Sequence, residues 1–223
     1  MLFRSAINEI YDVAYLDRIH QDALRVLEEV GIKCVSLEIR KIFEDTGMAA
    51  YDNTTGHIHI LKPLVEQALA LAPKRDQYWI PEDAFGVGGT APFVYDDQTG
   101  ELIPPTFAHM AKIASVVDES DEVAFMARGV LIRNEEARVM DTLIEHCRKP
   151  LYVAAVTEKG IARAEEIFQS RGNLTLQFSI INSPLNVIES MIEPFLSCVR
   201  KGLPIYVSTM PMAGLSGDRK SHV

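Results

Sequence analysis

The feature that most constrains this chain is a steady alternation of apolar strand-like runs with helical runs. The later strands begin near residues 122, 151, 174 and 204, a repeat of roughly 25 to 30 residues, the size of one βα unit with a right-handed crossover. Runs such as LYVAAV (151–156) and LTLQFSII (174–181) read as apolar on both faces. Strands of that kind lie in parallel sheets that are covered on both faces. The intervening stretches predict helices from about Thr106 to Val117, from a cap at Asn134 through Cys147, and from a cap at Thr157 to about Ser170. A further helix is predicted to open at Ser183 and Pro184 and run to Lys201. Phe85 to Tyr95 reads as one extended segment interrupted by Gly88 and Gly89, and Glu122 to Ile132 as a strand with its exit loop. A doubly wound sheet and a (β/α)8 barrel both fit this pattern.

The first 75 or so residues have a different character. Leu16, Ile19, Ala23, Val26, Leu27 and Val30 recur at helical spacing, and Gly31 supplies a left-handed C-terminal turn. Ser36 caps a second helix ahead of Gly47, a turn at 52–56 precedes a strand at 57–61, and Pro63 sits in the first turn of a third helix that ends before Pro73. The reading is therefore a helical segment over residues 1–80, a βα region over 81–217 and an atypical polar tail at 218–223.

Composition excludes several classes. The charge of −9 arises from 31 acids and 22 bases mixed along the chain, with no basic stripe of the kind a phosphate backbone requires, so nucleic acid is not a partner. No uncharged apolar run reaches the 18 residues of a membrane span, and the start carries acids where a signal peptide needs an apolar stretch. This places the chain in the cytoplasm. Cys34, Cys147 and Cys198 are odd in number and far apart in apolar contexts, which suits reduced core thiols. There is no HxH, HExxH or CxxC pattern, and GVGG at 86–89 lacks the spacing of a dinucleotide fingerprint.

Five phrases in order carry a resemblance: IHQDALRVLEEVGIKC with FEDTG; HIHILKPLVEQALALAPKR; VYDDQTGELIPPTFAHMAKIASVVDESDEV; CRKPLYVAAVTEKGIARAEEI; and FSIINSPLNVIESMIEPFLSCVRKGLPIYVSTMPMAGLSG. Up to about Gly217 the chain resembles the trimethylamine methyltransferase (MttB-like) family. The resemblance implies a (β/α)8 TIM-type barrel that presents a tertiary or quaternary amine, such as trimethylamine or glycine betaine, to a corrinoid (cobalamin) carried by a separate protein. It also implies a homo-oligomer. About five of the eight strands of such a barrel are countable here, and GDRKSHV departs from the family's continuation, so the chain reads as the front part of the barrel. A truncated half-barrel that only oligomerises or binds small molecules is the alternative, and a barrel lyase acting without cobalamin is another.

In parallel βα folds ligands meet the carboxyl ends of the strands, and the candidate substrate-binding residues are chosen there. Gly88, Gly89 and Thr90 allow close backbone approach, although a bulge or turn is the simpler explanation. Asn182 and Ser183 follow a strand and suit a substrate carboxylate, although Ser183 with Pro184 is also an ordinary helix start. Thr209, Pro211 and Gly214 form a loop after PIYVS. Among aromatic residues able to face a quaternary ammonium, Trp79, Phe93, Tyr95 and Phe178 are the candidates. His109 and His146 lie in predicted helices away from strand exits and read as solvated or satisfied side chains.

Overall fold

The computed structural model describes residues 12–72, 85–182 and 184–208. The chain divides into two compact units. The first takes the described residues up to 72 together with the stretch 181–189, and the second takes 85–180 with 190–208.

In the first unit Asp12 caps helix α1 (Val13–Arg25) by accepting from Tyr15 N at 2.6 Å. The expected single helix instead loosens into a π-turn at Val26–Val30 before Gly31. Gly31 has φ 78° with ψ −171°, so it turns into extended backbone rather than a left-handed helical cap. A Cβ there would stand 2.5 Å from Ile58 O, which gives a second reason for glycine. Strand β1 (Ile32–Lys33) follows, and then helix α2 (Leu37–Glu44), whose Ser36 cap accepts from Ile39 N at 3.3 Å. Strands β2 (Ala49–Asp52) and β3 (His57–Ile60) form a hairpin paired Ala49↔Ile60 through Asp52↔His57, and helix α3 spans Lys62–Leu71. Cys34, Ile58 and Ile60 centre a small core, with Leu27, Ile39 and Phe43 packed around it.

The sheet of this unit is completed from far along the chain. Strands β12 (Ile181–Asn182) and β13 (Asn186–Val187) form a hairpin, and β13 pairs in parallel with β1 through Lys33↔Asn186, giving the order β12-β13-β1-β3-β2. This corrects the predicted helix start at Ser183 and Pro184. Leu185 takes φ 60°, the hairpin turns there, and the helix begins only at Glu189. Pairing with a remote strand wins over the local proline signal. Ser183 lies outside the described residues.

In the second unit the segment read as one extended run becomes β4 (Phe85–Val87), β5 (Thr90–Ala91) and β6 (Val94–Tyr95), each in a different sheet; β6 pairs with β7 (Leu102–Ile103). Helix α4 (Phe107–Glu119) starts with a capping box between Thr106 and His109, so His109 is satisfied locally. Strands β8 (Val123–Met126) and β9 (Gly129–Val130) precede α5 (Glu136–His146). Asn134 is not its cap: it takes φ 61°, and Glu135 occupies the cap position without a side-chain bond. Then follow β10 (Leu151–Val153), α6 (Glu158–Arg171) capped by Thr157, β11 (Leu174–Phe178), α7 (Glu189–Arg200) and β14 (Ile205–Val207).

Five of these strands form a parallel sheet in the order β14-β11-β10-β8-β4, with register Leu151↔Leu174, Leu176↔Ile205 and Leu151↔Met126. The sheet is open; the described residues show no closed barrel. Met126, Leu151, Val153, Leu174, Leu176 and Phe178 point to the helices and form one core with Met110, Ala114, Met140, Leu143, Ile167 and Cys198. Burying each large apolar side chain contributes about 1.5–3 kcal/mol. Cys34, Cys147 and Cys198 are buried free thiols. Among the described residues no helix is long and apolar enough to cross a membrane.

Candidate functional site

Because strand side chains alternate between faces, the residues beside the buried ones must emerge on the face away from the helices. Phe125 of β8, Tyr152 of β10 and Tyr206 of β14 all do so and form an aromatic row. The rings of Phe125 and Tyr152 lie 4.8 Å apart at 58°, and those of Tyr152 and Tyr206 lie 6.2 Å apart, edge to face. Gln177 of β11 stands opposite Tyr206 in register. Phe125 lies directly over the β4 backbone, where a Cβ on Gly86 would come within 2.0 Å of the ring. Only glycine fits there.

These residues line a cavity of about 360 Å³ together with Gly88 and Ala127, which lie just past the carboxyl ends of β4 and β8. At its polar edge Gln177 Nε2 donates to Ser208 Oγ at 3.1 Å, and the hydroxyls of Ser179 and Ser208 are 3.2 Å apart. Ser208 is placed by its own backbone N–H, which donates to Phe178 O at 2.9 Å. The result is an aromatic wall with a neutral hydrogen-bonding end.

The neighbouring strand exit is held by Glu136. From the first turn of α5 its carboxylate accepts from Val156 N at 3.0 Å, Thr157 N at 2.9 Å and Thr157 Oγ1 at 2.7 Å. Gly160 makes room for it, since a Cβ there would meet Glu136 Oε2 at 2.2 Å. Burial pushes the Arg128 guanidinium, at the exit of β8, below the usual arginine range, with the Glu136 charge opposing.

A larger cavity of about 670 Å³ lies between α4 and the β6–β7 hairpin, over Val87, Ile113 and Val117. Its polar rim is engaged internally. Asp96 accepts from the N–H groups of Gln98 and Thr99, first of all the latter, which holds its carboxyl below the usual range, and Lys112 pairs with Asp97 at 2.9 Å. The lining of this cavity is otherwise mostly apolar, with the Tyr95, Gln98, His109 and Ser120 side chains also on it.

Of the residues expected from sequence, Gly88 lines the aromatic cavity and Gly89 follows it, with nothing within 4 Å of a Cβ at either. Thr90 is in β5, exposed and paired with Gly129. Phe178 does not face the cavity; it is 2% exposed in the helix-side core, edge to face with Phe195 at 5.6 Å. Asn182 lies in β12 of the first unit, its Oδ1 buried without a partner among the described residues. Phe93 is exposed, and Tyr95 lines the larger cavity. Trp79, Ser183, Thr209, Pro211 and Gly214 lie outside the described residues. Sequence reasoning missed Phe125, Tyr152, Gln177, Ser179 and Ser208, and it missed Glu136. The signal for the aromatics was strand alternation: Tyr152 sits between Leu151 and Val153, and Phe125 directly precedes Met126.

A comparison with curated proteins gives no match. The sequence pattern of the family described as Trimethylamine methyltransferase (MTTB) matches residues 4–217, nearly the whole chain, and the protein therefore belongs to the trimethylamine methyltransferase family.

Proposed function

We propose that the aromatic row binds the ammonium group of a methylated amine and orients one of its methyl groups for transfer to a corrinoid held by a separate partner protein. The family supports methyl transfer from methylamines. The observation that carries the reading is the contiguous row Phe125, Tyr152 and Tyr206 at the carboxyl side of a parallel sheet. Ring faces attract quaternary ammonium groups by about 0.5–2 kcal/mol each, and a cavity of about 360 Å³ is at the small end of the usual ligand range.

The open rim supports the approach of a broad planar group. Gly88 and Gly89 carry no side chains, and nothing lies within 4 Å of where a Cβ would stand. A corrinoid docked there would supply a cobalt nucleophile for the methyl transfer. The work of this chain is to hold the amine against the rings, with Gln177 and the two serines limiting its orientation, and to keep the β10 exit in place through Glu136.

The test is calorimetric titration of the purified chain with trimethylamine and glycine betaine, repeated with Tyr152→Leu. Loss of one ring should weaken amine binding roughly 5- to 30-fold, corresponding to about 1–2 kcal/mol. Amine affinity that ignores Tyr152→Leu and Phe125→Leu alike removes the aromatic row from the reading.

A further inference from the structure

Apart from the two tyrosine hydroxyls, Gln177 is the polar side chain among the described residues that line the aromatic cavity. Its amide is tied to the next strand by one hydrogen bond, to Ser208. An amide nitrogen can only donate, so Ser208 Oγ accepts at the 3.1 Å contact, and Ser208 Oγ is also hydrogen-bonded to Ser179 Oγ, 3.2 Å away, with either hydroxyl able to donate. What Gln177 still offers is its second N–H together with its carbonyl Oε1, a donor and an acceptor side by side.

That pair discriminates between the arms a methylated amine can carry. A carboxylate accepts only, so it can use the N–H but sets its lone pairs against Oε1. An amine with methyl groups alone uses neither. A hydroxyl donates and accepts, and it uses both.

We infer that Gln177, fixed by Ser208 and Ser179, is a specificity-determining residue that selects a methylated amine bearing a hydroxyl arm, a hydroxyalkyl quaternary ammonium, over a carboxylate-bearing betaine or trimethylamine. The inference rests on the reading that the aromatic row holds the ammonium group. It concerns which amine is chosen.

The experiment is calorimetric titration of the purified chain with choline, trimethylamine and glycine betaine as probes. Choline should bind about tenfold more tightly than trimethylamine, the effect of one additional hydrogen-bonded pair, and glycine betaine no more tightly than trimethylamine. Gln177→Leu should bring the ratio of choline to trimethylamine affinity close to one. Ser208→Ala, which releases the amide, should reduce it several-fold. Tyr152→Leu should weaken both amines and leave the ratio unchanged. Glycine betaine binding most tightly, or a ratio indifferent to Gln177→Leu and Ser208→Ala, overturns the inference. If the amines bind and depend on Tyr152 while the ratio ignores Gln177, only the inference fails; if none of the three binds, the amine-binding reading fails with it.

Discussion

Glu136 gives the sharpest stability prediction, because one carboxylate serves three donors across two elements. Replacing it with alanine leaves Val156 N–H, Thr157 N–H and the Thr157 hydroxyl without their acceptor. A hydrogen bond to a charged group contributes about 1.5–3 kcal/mol when buried. Here Thr157 is exposed and water can replace most of its share, whereas Val156 is half-buried. Summing one nearly full loss and two reduced ones gives about 3 kcal/mol for Glu136→Ala. Glu136→Gln keeps one carbonyl oxygen, which can occupy the Oε2 position and accept from Thr157, so it should cost only about 1 kcal/mol. Urea unfolding followed by circular dichroism, with the slope unchanged and the midpoint lowered, is the assay. For a chain of this size the melting temperature should fall by about 6–12 °C in the alanine variant. A loss under about 0.5 kcal/mol, or equal losses for alanine and glutamine, would show that the contact does not clamp the β10 exit.

Three further outcomes are expected. Leu143 is fully buried, so Leu143→Ala should destabilise by about 2–5 kcal/mol in the same unfolding assay; a cost below 1 would place it outside the core. Gly86→Ala puts a methyl group 2.0 Å from the Phe125 ring; the ring must move, at about 1–3 kcal/mol, and amine affinity by calorimetry should fall with it. Burial pushes the Cys198 thiol up to about 11, while an unfolded cysteine titrates near 8.5. The folded state therefore keeps a proton that the unfolded chain loses, so the contribution is complete below about pH 8.5 and declines as pH rises toward 11. Urea midpoints should drop over that window more steeply in the native chain than in Cys198→Ala, and identical slopes would count against the burial argument.

Much of the fold was legible because it is written in short-range chemistry. Thr157, Ser36 and Pro63 mark helix starts that the structure keeps. The apolar runs at Leu151 and Leu174 become neighbouring parallel strands. What was not legible depends on distant pairing. Nothing near Pro184 announces that Asn186 will lie beside Lys33, and a proline after serine suggests a helix start unless that partner is known. The site was half legible for a different and local reason, the alternation of strand faces. Strand exits point to Gly88, which lines the aromatic cavity, whereas Phe178, a candidate for its ring, lies beside Gln177 in an alternating strand and so on the opposite face.

The pairing of β1 with β13 also sets a clock on folding. Lys33 and Asn186 are 186 − 33 = 153 positions apart, and at about 5–20 residues per second a ribosome needs roughly 8–30 s to make the second after the first. For that interval β1 can close its hairpin side against β3, while its other edge waits with unpaired N–H and C=O groups. The second unit contributes α4 through β11 within that same interval, so its helices and strands emerge before the older sheet can be finished. Strand β1, made well before β13, is thus among the last strands to gain its full set of partners.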